Sequence, residues 1–231
     1  MQSPESLIEE EVKQEFQLER MILFSDAVFA IVITLMAIDI KIPDTNGIRI
    51  TSAELTHHLL HLLPIFIAYA FSFFFIGRTW YDHLKLFGYL KKYDGGLVFC
   101  NLLLLFSIGL FPFAASVLVH LVKTSLNFAI YFAILGLCFA SEIYLRYYVL
   151  IKHPELRNDK PIHIELLTYH LQKNIALVFV VTFLFVFITN LLITGLEDKQ
   201  LALLWSLPAL VMIRLLRSKY NKSRRQMLKT S

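Results

Sequence analysis

An arginine and an aspartate six residues apart open an apolar stretch, as Arg20-Met21-Ile22-Leu23-Phe24-Ser25-Asp26. The run then continues through Ala27 and Ile38 to a second acid, Asp39. From Met21 to Ile40 it is long enough to cross a bilayer at ~1.5 Å per residue. A carboxylate inside such a helix is costly unless it finds a partner or water, which makes Asp26 a functional-site candidate. Two kinds of chemistry are open to it. It can accept hydrogen bonds and tie its helix to neighbours, or it can bind and release protons during transport. Indole, imidazole and amide donors suit the first role, and Trp80, His83 and Asn101 supply them. Asp94, Ser107 and Asn190 are weaker candidates.

At ~100° per residue, Arg20, Phe24, Ile31, Leu35 and Ile38 share one stripe of the first helix, with Thr34 at its edge. Ser25 and Asp26 point to other sides. The stripe can line something narrow and apolar, or it can pack and face lipid. His57, His58 and His61 have metal-compatible spacing, but no Glu follows in the H-E-x-x-H manner, so a zinc hydrolase is not indicated. They read as interfacial histidines that shift with pH. Phe87-Gly88-Tyr89 is a fragment of a carbonyl filter without its Thr-Val or its second glycine, and it is rejected as one. There is no P-loop, no G-x-S-x-G and no Arg-rich voltage-sensing helix.

The elements that must hold these residues follow from composition. Of 231 residues, 57% are hydrophobic, 20 are phenylalanine, and mean hydropathy is +0.61. The apolar residues come in long runs: about 21–40, 58–77, 97–119, 126–151, 175–194 and 201–216. The last is short and contains Pro208. These runs predict an all-α polytopic membrane protein of six transmembrane helices, because helices satisfy their own backbone in lipid.

Lysine and arginine set the orientation. The N-terminus, residues 78–94, residues 152–173 and the C-terminus hold 2, 4, 4 and 7 of them, while the alternate connections hold only Lys41, Arg49, Lys123 and Lys199. Both ends are expected in the cytoplasm, consistent with an even number of spans. Residues 1–20 are acidic, lack the basic start of a cleaved signal, and place Leu7, Ile8, Val12 and Phe16 at helical spacing. They are expected to lead straight into the first span. The basic tail, 217–231, together with Arg214 reads as a topology and lipid-headgroup signal rather than a nucleic-acid surface. Cys100 and Cys138 lie in apolar runs and suggest neither a disulfide framework nor a metal site. The connection 152–173 holds Pro154 and Pro161 and at most a short helix, and Pro43–Gly47 reads as a turn. One membrane domain over 1–231 is the simplest organisation.

Arg20-x-x-x-Phe24-Ser25-Asp26, followed by an Ile/Leu/Thr-rich first span, resembles the signature of the transmembrane protein 175 family of potassium channels, found in endolysosomes and prokaryotes. The hydropathy likeness covers nearly the whole chain, the motif only the first helix. With one six-helix unit, the chain resembles the prokaryotic form, and the resemblance implies a homotetramer in a prokaryotic plasma membrane. It implies a pore lined by the first helix of each subunit, with Ile31, Leu35 and Ile38 as apolar rings and Thr34 as a hydroxyl ring. It also implies a polar network behind the signature, drawn from Asp26, Arg20, Trp80, His83 and Asn101. Potassium would be the permeant ion, with no cofactor. Partners would be further copies, membrane lipids and monovalent cations, with no nucleic acid.

Two other readings remain. One is a proton-coupled carrier titrating Asp26 or Asp39. The other is a membrane enzyme or scaffold, which lacks a convergent nucleophile, base or metal set.

Overall fold

Apolar runs of this length leave the backbone to satisfy itself, and it does so as helices. The computed structural model describes residues 4–39, 51–120, 125–192 and 198–230. Seven helices follow in order among them: α1 Pro4–Leu35, α2 Ser52–Phe87, α3 Gly95–Gly109, α4 Phe111–His120, α5 Ser125–Tyr147, α6 His163–Leu192 and α7 Asp198–Thr230. A 3-10 turn, Met36–Asp39, ends α1, and a π turn, Tyr148–Lys152, ends α5. Among the described residues, Val12–Ile38, Gly95–Val117, Ala129–Lys152 and His163–Phe185 are long and apolar enough to span a membrane. The all-α polytopic class expected from composition is therefore the observed one. The runs at 58–77 and 201–216 fall within α2 and α7, while the turn at Pro43–Gly47 lies outside the described residues.

Two expectations change. The third run is not one helix but two, because α3 stops at Gly109 and α4 starts at Phe111. Pro112 explains the break, since it has no N–H to donate and its ring crowds the carbonyl four residues back. The connection 152–173 is mostly helix, because α6 already begins at His163. Only a 3-10 turn at Pro154–Leu156 and a short irregular stretch remain of it. Glu165 in the first turn of α6 is buried against Arg146, which ties that turn into the core.

One flank of α1 packs on α2, α3 and α4, α5 sits between α3 and α6, and α7 rests chiefly on α6. Phe29, Ile76, Leu97, Leu104, Ile108, Phe111, Leu145 and Val149 form the centre of the core. The Lys/Arg-rich end of the bundle is closed by polar contacts between loops. Asn158 N–H donates to the Tyr89 carbonyl at 2.8 Å, and Lys91 N–H donates to that of Leu156 at 2.9 Å. Asp94 caps α3 there, accepting from Leu97 N–H at 2.7 Å and from the Tyr148 hydroxyl at 2.7 Å. Burial pushes the Asp94 carboxyl up, but these two bonds outweigh it and hold its pKa below the usual carboxylate range. Tyr148 comes so close that a Cβ at Gly96 would overlap its hydroxyl and ring. Glycine at 96 is what lets the tyrosine reach the cap.

Candidate functional site on the first helix

The first helix has two unlike faces. Leu18, Ser25, Phe29, Val32 and Met36 recur at helical spacing and are buried. Ile31, Leu35 and Ile38, on another stripe, are 56%, 45% and 59% exposed in the single chain. Phe24 and Arg20 are exposed with them. The Thr34 hydroxyl donates back to the carbonyls of Ile31 at 2.9 Å and Ala30 at 3.1 Å, and it too is exposed. Its oxygen lone pairs therefore remain available on the outer surface.

Behind the signature, hydrogen bonds run from α2 through α3 to α1. His83 Nε2–H donates to Asn101 Oδ1 at 2.9 Å, and Asn101 Nδ2 donates to Ser25 Oγ at 2.9 Å. The Ser25 hydroxyl then donates to the Met21 carbonyl at 2.8 Å. This one-way sequence fixes the His83 tautomer, because an amide oxygen can only accept. It leaves Nδ1 buried with no hydrogen-bond partner among the described residues. The imidazole is held by its faces instead, stacked on Phe87 at 3.9 Å and tilted against Phe29 at 5.6 Å.

Asp26, half-buried, accepts from Trp80 Nε1 at 2.8 Å. Of its candidate donors the indole reaches it, whereas the His83 imidazole bonds Asn101. Arg20 does not join the network. Its guanidinium lies over the Phe16 ring, 5.9 Å from the centroid. Six helical positions separate it from Asp26, which turns it about 120° away. Asp94 and Ser107 bond elsewhere, Asp94 as the α3 cap and Ser107 to carbonyls of its own helix and to Ser141. The side chains of Asp39, His57, His58, His61 and Asn190 lie outside the described residues.

Removing the Asp26 carboxylate leaves the Trp80 N–H without its acceptor. For Asp26→Ala we expect a loss of about 1 kcal/mol, at the low end because Trp80 is partly exposed. Thermal unfolding in mild detergent reads it. Unchanged heat stability together with altered ion permeation would make Asp26 a pathway residue instead of an anchor.

A second polar cluster carries no signature motif. Arg146 on α5, 1% exposed, donates through Nη1 to Glu165 Oε2 at 2.6 Å and through Nη2 to the Asp82 carbonyl at 3.2 Å. Its Nε lies 3.6 Å from Glu142 Oε1, which accepts from Gln172 Nε2 at 2.6 Å. Asp82 Oδ2 accepts from Arg78 Nε at 2.7 Å. The cluster fastens α2, α5 and α6 together on the side of α2 away from α1.

Fold and site together define a polytopic helical membrane protein. Its first helix is pinned from behind by polar bonds and leaves an apolar stripe uncovered. Residues 20–112 match the family model for the endosomal/lysosomal potassium channel TMEM175. A potassium channel of Chryseobacterium sp. is 39% identical over 95 residues, covering 41% of this chain and 45% of that one. A potassium channel of Streptomyces collinus is 38% identical over 100 residues, covering 43% and 47%. The matches thus span about half the length of these curated relatives. A crystal structure of a lysosomal potassium-selective channel TMEM175 homolog from Chamaesiphon minutus shares the fold, with a TM-score of 0.62 at 23% identity. That match covers 84% of this chain and 98% of the homolog.

Proposed function

We propose that the protein is a potassium channel whose pore is closed by four copies of α1, with Ile31, Leu35 and Ile38 as apolar rings. The observation that carries this reading is the uncovered stripe. Three large apolar side chains stand exposed on a helix whose opposite flank is fixed by Ser25 and Asp26. A fixed back and an uncovered front suit a helix that faces an axis. The printed names of the bacterial relatives supply the ion.

A ring of Ile or Leu side chains gates by dewetting. When the opening is narrow, water leaves it and an ion loses more hydration than it regains. A small rotation of α1 widens and rewets the ring. Sodium holds its water more tightly than potassium, so partial dehydration penalises sodium more. The Thr34 oxygens, with their protons committed to the backbone, offer lone pairs to a partly dehydrated cation. We place it in a prokaryotic plasma membrane, as the likeness to bacterial channels suggests, with both termini in the cytoplasm, the orientation that the Lys/Arg bias favours.

Engagement of Asp26 with the Trp80 indole favours an anchoring carboxylate over a proton shuttle. Recordings from purified protein in planar bilayers test the reading. Potassium currents that persist without a proton gradient are expected, and flux that needs one would replace the channel with a proton-coupled carrier. Assembly is a separate expectation. Two or three helices with side chains this large leave almost no hole between them, whereas four surround a narrow one. Closed cyclic symmetry is the usual arrangement of identical subunits. Mass measurement in mild detergent should return a tetramer. A monomer or dimer that still conducts would rule this pore out.

A further inference from the structure

At the Lys/Arg-rich end of the bundle, α2, α6 and α7 enclose a cavity of about 210 Å³ that the pore reading does not use. Arg78 and Lys85 line it from α2, and Arg224 lines it from α7. We propose that this cavity binds a phosphate monoester, carried either by a lipid headgroup or by a soluble ester.

The charge balance points that way. Two carboxylates, Asp82 and Glu165, also line the cavity, but each is already engaged. Asp82 takes the Arg78 Nε–H at 2.7 Å, and Glu165 takes Arg146 at 2.6 Å. Among the described residues, no ion pair involves Lys85 or Arg224. The cavity therefore presents two cations that no ion pair engages, with the remaining donors of the Arg78 fork, which suits an anion and opposes a metal ion. Guanidinium forks match phosphate oxygens in pairs, and an ammonium adds a point charge.

The walls hold these groups in place. The Lys85 ammonium sits 4.1 Å from the Tyr81 ring centroid. Thr168 Oγ1 donates to the Ile164 carbonyl at 2.8 Å, so at 3.0 Å it accepts from the Tyr220 hydroxyl. That bond ties α7 to α6 one turn before Arg224. The two turns of α2 that supply Arg78 and Lys85 also supply Trp80 and His83 to the α1 network. A ligand here would grip the segment that positions the first helix.

The test uses full-length protein in phosphatidylcholine nanodiscs with labelled phosphatidic acid, and glycerol 3-phosphate as a competitor. Lys85→Gln and Arg224→Gln each remove an exposed charge that has no ion pair to break. Each should weaken binding about fivefold, from ~1 kcal/mol per basic group near a membrane surface. Lys229→Gln, farther along α7, should change it less than about twofold. Retained phosphatidic acid that glycerol 3-phosphate cannot displace identifies a lipid, and displacement identifies a soluble ester. Either outcome supports the site. Equal loss in Lys229→Gln, or no loss in both cavity variants, overturns it. The readout is binding, so it stands or falls separately from conduction.

Discussion

Ile31→Asn raises unitary conductance and erodes potassium-over-sodium discrimination if the Ile31 ring is the constriction. An amide in the ring hydrogen-bonds water, so the constriction stays wet at a width that would otherwise empty it. An ion then keeps more of its shell, and the dehydration difference between the two cations shrinks. Ile31 is 56% exposed in the single chain and the network bonds leave from other faces of α1, so the substitution leaves that network intact. The measurement is single-channel conductance and reversal potential under mixed potassium and sodium, with tetramer mass as the folding control. Leu35→Ser should move both in the same direction. Wild-type selectivity in folded tetramers of both variants would remove these residues from the filter.

Arg146→Met is expected to produce the largest loss of stability in the molecule. Deleting the guanidinium leaves Glu165 without its 2.6 Å partner and Glu142 without its nearest cation, and both carboxylates are buried. Breaking a buried pair from one side typically costs about 3–5 kcal/mol, because the remaining charge has no compensation. Thermal unfolding in mild detergent should show a large fall in midpoint. Combining Arg146→Met with Glu165→Gln should recover part of it by removing the stranded charge. A single variant as heat-stable as wild type would mean that the cluster contributes little to holding α2, α5 and α6 together.

The contrast between these two sites explains what the sequence could and could not reveal. Asp26 is legible because a carboxylate in an apolar run must be satisfied, and Trp80 can be named as a donor by residue type. The choice of Trp80 over His83 was not legible, since it depends on how α2 rotates against α1 and α3. Arg20 illustrates the opposite failure. Motif membership suggested that it shared the network, while its helical position already turned it away.

The Arg146 cluster also leaves a signal in the sequence. Arg146, inside the run at 126–151, is the one lysine or arginine that the count of loop charges leaves out. Glu142 stands four residues before it, on the same face of α5. The rule that singled out Asp26 applies equally to this pair. Pro112 was likewise visible in the third run, although a proline in an apolar stretch does not by itself say whether the helix bends or ends.

The bonds that fix the first helix also impose an order on biosynthesis. Asp26 precedes Trp80 by 54 residues, and Ser25 precedes Asn101 by 76. At about 5–20 residues per second, the carboxylate is made roughly 3–11 s before its indole donor. The serine waits longer for its amide. During that interval the first span is a nascent helix with an unsatisfied acid, which disfavours release into lipid until the second and third helices arrive. Membrane integration of this chain is therefore a property of its first three helices acting together.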